Sequence, residues 1–302
     1  MFYPRRVRIY LHRNLLSRAE AGQHNFIALM HRVLERAGFD LAFLPEKTRP
    51  RLGNGLSLVH MKPPIGSHGL TFRRVYHYPF WQIERTEKRW DWEVARTPFD
   101  PDKVDIARAQ RFQTAWRRRL YGGDEAPAPS DGYVYVPLQG RLVEHRSFQS
   151  MSPLHMLETT LRNDTGRWIV ATLHPRETYQ QTEIDAFKRL ARAHPRLRLD
   201  TTGSSADHLR RCAYVVTQNS SVAFDGFLFD RPAILFAQID FHHIAQNVIQ
   251  IGAEEAFSRV LIERPDFARY VHWFWQDQSI NAGRPEAEEK IAARFRCLGW
   301  PV

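Results

Sequence analysis

Three short segments of this 302-residue chain gather hydroxyl, imidazole, carboxylate and guanidinium groups in patterns suited to chemistry on an anion. The first is Thr217-Gln218-Asn219-Ser220-Ser221, which follows the apolar run AYVVT and opens a helical pattern near Ser220. Small hydroxyl residues at a helix start offer unpaired backbone N–H groups, side-chain hydroxyls and the positive end of the dipole, which suits phosphate. Asn and Ser are also the ordinary caps of any helix. Asp225 follows Ser221 by four residues and shares its helix face, where a carboxylate accepts from a ribose. The second segment is His174-Pro175-Arg176, directly after the run WIVATL. A histidine there donates to a phosphate oxygen or polarises a leaving group, and Pro175 ends the strand. The third is the segment Gln139 to Arg146, after YVYVPL, with Glu144, His145 and two arginines near the same sheet edge. Glu144 has the chemistry of a nucleophile or a general base. A strand-ending turn and a surface salt-bridge cluster are the plain alternatives for these last two.

Other signals carry less. Asp100-Pro101-Asp102 has the spacing of a metal-binding D-x-D, but Asp at a cap followed by Pro reads better as a helix start. His242-His243 has no third ligand at a recognisable spacing, so no metal is expected. The stretch from Tyr76 to Trp92 mixes large rings with charge, which suits sugar faces and nucleic-acid bases but is most often core. Cys212 and Cys297 are too few for a disulfide framework or a cysteine zinc site, and a reduced cytoplasmic protein is the default.

The elements that would position these loops alternate. Residues 7–12 read as a strand, 18–37 as a helix stopped by Gly38, and 41–44 as a strand. Residues 56–60 and 72–76 are further strands, and 102–120 a helix. The segment GGDEAPAPSDG (122–132) has no apolar periodicity and is the best linker. Beyond it, strands at 133–138, 168–173, 197–200, 213–217 and 233–236 alternate with helices at 152–162, 182–193, 205–211 and 220–229. Short apolar strands separated by helices predict an α/β chain whose parallel sheets are covered on both faces. The tail, 266–298, reads as two helices broken near Asn281-Ala282-Gly283. The expected division is 1–121, a linker at 122–132, 133–265, and tail helices at 266–302 that pack back on the first domain.

Composition narrows the class. The chain is 43% hydrophobic and 25% charged, which excludes a disordered chain. Its longest apolar runs are far short of the roughly 20 residues that span a bilayer, and the N-terminus lacks the apolar core of a signal peptide. The net charge is +10, and all of it falls in residues 1–130, which carry 23 Lys+Arg against 13 Asp+Glu. The first part of the chain is therefore expected to meet something anionic. With no basic tail, basic helix or recognisable motif, nucleic acid is not the expected partner.

The segments VPLQ (136–139), LHP (173–175), TQNSSVAFDGFLFDRPAILF (217–236) and FWQIE (80–84) together resemble the capsule polysaccharide biosynthesis family, whose best-known members are Kdo transferases using CMP-Kdo. The resemblance implies a GT-B fold: two Rossmann-like domains, the first for the acceptor and the second for the nucleotide sugar. It implies nucleotide or phosphate binding by Gln139, His174, Pro175, Arg176, Asn219, Ser220, Ser221 and Asp225. His174 and Glu144 are the expected catalytic residues, Glu144 either taking the role of the family's Asp or marking a different chemistry, and Gln23, His24 and Arg85 are the expected acceptor-binding residues. No cofactor is expected beyond the CMP-sugar donor. An anionic glycan or lipid-linked acceptor, with peripheral attachment to the inner membrane, is the expected partner. The chain departs from the family where a catalytic Asp follows the Gln: between Gln139 and Ser150 the only acid is Glu144. A catalytically degenerate binding or assembly subunit is the rival reading.

Overall fold

The computed structural model describes residues 5–49, 55–122 and 132–302. All of the expected linker but its end glycines, Gly122 and Gly132, lies outside them. The chain forms two units, Met1–Arg96 with Phe274–Val302, and Thr97–Trp273.

In the first unit β1 (Arg6–Leu11), β2 (Asp40–Pro45), β3 (Leu56–His60) and β4 (Gly69–Arg74) are parallel. Strand β5 (Phe80–Glu84) runs antiparallel to β4, and β12 (Ile280–Asn281) antiparallel to β5. The order is β12-β5-β4-β3-β1-β2. The helix Asn25–Arg36 buries Phe26, Ile27, Leu29, Met30, Val33 and Leu34, a single stripe at helical spacing. That stripe joins Ile9, Leu58 and Phe72 of the sheet, and Ile291 and Phe295 of the helix Ala287–Cys297, in one core.

The helix expected over 18–37 is two helices, Arg13–Glu20 and Asn25–Arg36. Gly22 sits at φ +68°, a left-handed conformation that stops the first helix at little steric cost. His24 then caps the second, its Nδ1 accepting from the Ile27 amide at 3.3 Å.

A second glycine is fixed by close approach. A Cβ on Gly69 would fall on the Ile65 carbonyl and within 2.6 Å of the Ile65 nitrogen. Ser57 Oγ holds that same carbonyl at 2.7 Å, so the loop has little room to retreat. Gly69→Ala is expected to destabilise the protein by about 1–3 kcal/mol, as overpacking does. A lower urea midpoint at unchanged slope would show it.

In the second unit β6 (Val134–Pro137), β7 (Ile169–Thr172), β8 (Leu197–Leu199), β9 (Tyr214–Thr217), β10 (Ala233–Leu235) and β11 (Gln246–Asn247) form a sheet in which every neighbour is parallel. The order is β11-β10-β9-β6-β7-β8. Strands β6, β9 and β10 are buried at every residue, as a sheet covered on both faces requires. The first strand lies inside the sheet, the next two on one side of it and the last three on the other. This is the doubly wound 3-2-1-4-5-6 order, with its reversal between β6 and β9.

The units divide away from the expected boundaries. The helix Ile106–Tyr121, expected in the first domain, belongs to the second unit. Its Gln113 Nε2 donates to the Phe227 carbonyl (2.7 Å) and Asp230 Oδ1 (2.9 Å), and Arg117 donates to the Leu228 carbonyl (3.1 Å). The last carbonyls of the helix Ser221–Phe227 have no partner within the helix, and such groups are satisfied from outside it. The tail is split too. The helix Phe267–His272 stays with the second unit, where Arg269 Nε donates to the Val104 carbonyl at 2.9 Å. From Phe274 the chain belongs to the first unit, where Glu288 pairs with Arg32 (2.6 Å) and Arg36 (2.7 Å). Even so divided, the charge is one-sided. The first unit holds 21 Lys+Arg against 12 Asp+Glu, the second 22 against 21.

Candidate functional site

In open parallel sheets ligands bind beyond the carboxyl ends of the strands, where the strand order reverses. In the second unit that place lies between the loops after β6 and β9, and a hydrogen bond crosses it: Gln139 Nε2 donates to Asn219 Oδ1 at 2.8 Å. The loop after β6 is also tied to the loop after β7. Gly140 N donates to Glu177, and Leu142 N donates to Glu183 Oε1 at 2.6 Å. Glu183 is held by its own helix, its Oε2 accepting from Gln180 N at 2.8 Å. The three segments singled out by residue type therefore meet at one edge.

His174 is half-buried at the end of β7. Its amide donates to the Tyr179 hydroxyl (3.0 Å), and its Nδ1 accepts from the Arg176 amide (3.2 Å). A neutral ring that accepts through Nδ1 carries its proton on Nε2, so His174 presents a donor. Pro175 and Arg176 form the exposed turn that holds it. Ser220 caps the helix Ser221–Phe227, its Oγ accepting from Val222 N at 3.3 Å, which leaves the hydroxyl proton to donate. Asn219, with Oδ1 occupied by Gln139, keeps its amide hydrogens as donors. Ser221 is half-buried at the first turn. An edge offering imidazole, amide and hydroxyl donors suits an anion.

Two expected residues are placed differently. Asp225 is held by the Tyr121 hydroxyl of the helix Ile106–Tyr121, and burial together with this carboxylate pushes the Tyr121 phenol well above its usual range. Asp225 thus serves the packing of two helices as well as lying one turn beyond Ser221. Glu144 is exposed, in an ion pair with Arg141 at 2.7 Å. No hydrogen bond joins it to the Gln139–Asn219 pair among the described residues.

Sequence reasoning missed Gln218, which is 1% exposed. Its Nε2 donates to the Met151 carbonyl at 2.9 Å, while its buried Oε1 has no partner. It sits inside the TQNSS segment, but nothing in the spacing told its side chain from its neighbours'. Glu177 and Glu183, which hold the Gln139 loop, were likewise unremarked.

In the first unit Gln23 is exposed, and His24 is buried with its ring edge-on to Trp81 at 5.3 Å. Burial, then Arg18, holds the His24 imidazole below its usual range. Arg85 lies apart from them, beyond the far end of β5, where it donates to the Leu298 carbonyl at 2.6 Å. Much of the aromatic stretch is core: Phe80, Trp81 and Trp92 are buried. Among the described residues no three His, Cys, Asp or Glu side chains are grouped to hold a metal ion, and no helix is long and apolar enough to cross a membrane.

No family model matches the sequence, and no curated protein matches it. Solved structures match in fold. Thermosulfurimonas dismutans KpsC, a beta Kdo 2,7 transferase, is similar over 95% of this chain and 98% of its own, with 14% identity and a TM-score of 0.51. The beta Kdo 2,4 transferase of Thermosulfurimonas dismutans KpsC covers 87% and 88%, with 12% identity and a TM-score of 0.47. The Wall Teichoic Acid Polymerase TagF covers 98% and 89%, with 11% identity and a TM-score of 0.34. The first of these, set beside the two sheets described above, gives the fold: the chain is an α/β protein of two Rossmann-like units, built like the beta Kdo 2,7 transferase of KpsC and as the resemblance to the capsule polysaccharide family implies.

Proposed function

We propose that the chain is a GT-B glycosyltransferase of surface-polysaccharide biosynthesis, moving an acidic, Kdo-like sugar from a CMP donor to a glycan or glycolipid. One observation carries the reading: the Gln139–Asn219 hydrogen bond spans the strand-order reversal of a 3-2-1-4-5-6 sheet, with His174 and Ser220 donors on the same edge. The nucleoside phosphate leaves as an anion. Preorganised donors stabilise charge as it develops, and in many enzymes nothing else lowers the barrier as much. In this reading Nε2–H of His174 and the Ser220–Ser221 segment receive the phosphate, Asn219 and Gln139 fix the loop, and no metal takes part. Arg176 and the Pro175 turn flank the phosphate, and Asp225 meets the ribose. Glu144 acts as nucleophile or base once released from Arg141. The acceptor is anionic and meets the basic first unit at Gln23 and His24, on the cytoplasmic face of the inner membrane, while Arg85, placed beyond the far end of β5, stays out of that contact.

A second reading is a degenerate binding subunit. It is favoured by the exposed Glu144–Arg141 pair where the family has a catalytic Asp. Release of CMP from a CMP-sugar separates the two, because a pure scaffold releases none.

The first test is thermal shift against CMP, CDP, UDP, UMP, GDP and ADP. A ligand that binds only the folded state adds about 2.7 kcal/mol at 100 times its Kd. A selective rise in Tm with CMP is expected. A rise with UDP or GDP instead would overturn the CMP assignment, and none with any nucleotide would favour the scaffold.

A further inference from the structure

The first unit has a strand-order reversal of its own. With β1 inside the sheet, β2 on one side and β3, β4 and β5 on the other, the order is 2-1-3-4-5, reversing between β1 and β3. Ligands of such sheets bind at that place. Here His12 follows β1 and His60 ends β3, their ring centroids 5.9 Å apart. Beside them β5 brings Trp81, 6.5 Å from His60 and 5.3 Å from His24. Four ring systems from three strand ends and a helix cap thus converge on one edge.

Three of the four have a donor fixed by their surroundings. His12 Nδ1 accepts from Leu15 N (3.4 Å) and His24 Nδ1 from Ile27 N (3.3 Å), so each neutral ring carries its proton on Nε2. Trp81 is 4% exposed, and its indole nitrogen is buried with no hydrogen-bond partner. A buried N–H without an acceptor is costly, and this one has only an N–H to give. One ring face is taken by Phe26, stacked at 4.7 Å and 4°, and the ring is too buried to serve as a sugar platform.

The charged groups that act most strongly on these rings are cationic. Burial is the main cause that holds the His60 imidazole down at about 4, and the groups that add to it are His12, His24, Arg73 and Arg74. Arg18 and Arg74 act on His24 in the same way. Arg74 is exposed, His60 is half-buried and Trp81 lies beneath, which grades the edge from a cationic rim to a buried floor. The first unit also holds nearly all the excess positive charge of the chain.

We propose that this edge is a binding site for an oxyanion, a carboxylate or phosphate group of the ligand, received by Trp81 Nε1–H and the imidazoles of His60, His12 and His24 beneath an Arg74–Arg18 rim. The site stands on the first unit and needs nothing of the nucleotide reading of the second. It moves the anion-binding residues of this unit from Arg85 to the β1/β3 edge.

The test follows the indole N–H resonances of ¹⁵N-tryptophan-labelled full-length protein during titration with glucuronate and, separately, inorganic phosphate. The Trp81 signal is assigned by its loss in Trp81→Phe. A saturable shift of that signal is expected. Glucuronate as the stronger probe assigns a carboxylate, phosphate as the stronger a phosphoryl group. Arg74→Gln, at an exposed position, and His60→Gln are each expected to weaken the response about tenfold, as loss of a hydrogen bond to a charged group does. Ser220→Ala, in the other unit, is expected to leave it unchanged, and CMP to leave the Trp81 signal in place. Failure of CMP to bind anywhere would therefore sink the nucleotide reading without touching this one. No Trp81 response to either probe, or a response indifferent to both Arg74→Gln and His60→Gln, would overturn the site. Should Trp81→Phe not fold, the Arg74 and His60 variants still decide, because they identify the resonance by its weakened response.

Discussion

His174→Ala is expected to lower donor turnover by about 10²–10³-fold, the effect of removing one preorganised donor from a developing oxyanion. The physical basis is the fixed tautomer. Arg176 N occupies Nδ1 at 3.2 Å, and the Tyr179 hydroxyl anchors the residue's own amide at 3.0 Å, so Nε2–H is aimed before any ligand arrives. The ring is only half-buried, so Tm should hold nearly steady. His174→Asn sharpens the experiment. Its side-chain oxygen can still accept from Arg176 N and keep the turn, but it cannot reach as the imidazole does. Both variants should lose turnover, measured as CMP released from a CMP-sugar, and Asn should keep the loop better than Ala. Turnover equal to wild type in either variant would remove His174 from the mechanism.

The largest stability effect is expected in the first unit. Arg294 Nη2 pairs with Glu84 Oε1 at 2.7 Å, Nη1 pairs with Glu93, and Nε donates to the Ile83 carbonyl at 2.8 Å. Glu84 is 4% exposed. Burial pushes its carboxyl up to about 7, against the lowering pull of Arg294. Removing one partner of a buried pair leaves an uncompensated charge, and Arg294→Met is expected to cost about 3–5 kcal/mol at pH 8. The pH dependence has a definite sign. A carboxyl whose folded value exceeds its unfolded value near 4.5 binds more protons in the native state, so stability falls as pH rises from about 4.5 through 7. Without Arg294 the folded value rises further, and the deficit of the variant should widen with pH. Urea unfolding at pH 5 and pH 8 measures this. A deficit equal at both would mean lost packing rather than lost charge, and Glu84→Gln in the Arg294→Met background should recover part of it.

Much of this fold was legible because short apolar strands bounded by caps leave few alternatives. Residues 205–211 form the expected helix, and Ser152 caps the helix Pro153–Asn163 as its position before Pro153 implies. The break at Gly22 was missed because Ala, Gln and Gly beside an apolar stripe leave the period nearly intact. Only the left-handed φ of Gly22 ends the helix. The unit boundaries were missed for a different reason. A low-complexity segment marks a loop, but which sheet a helix packs on depends on partners far along the chain, such as Gln113 with Phe227. The loops of the second unit were found because residue type and strand-end position coincide there. The order that makes them adjacent, β6 beside β9 with two strands intervening in sequence, is tertiary information. In the first unit both His12 and His60 stood at the ends of expected strands, yet only the β1–β3 pairing sets them side by side.

The first unit is closed by residues from both sides of the second. Strand β12 pairs with β5, and Ile291, Phe295 and Trp300 enter the same core as Phe26 and Phe72. A ribosome delivers the second unit whole while the first still lacks its edge strand and its last helix. Domains tend to fold as they emerge, so the second unit can consolidate during synthesis. The first must wait, its sheet edge and apolar face uncovered, for segments separated from it by 177 residues in Thr97–Trp273. For a flexible chain, loop closure over that length costs only about 0.6 kcal/mol more than over half of it, because the cost grows with the logarithm of length. Vectorial synthesis thus assigns the two units opposite exposures to misfolding. The contiguous unit can close as soon as it emerges, whereas the divided one keeps an open sheet edge until the helix Ala287–Cys297 arrives.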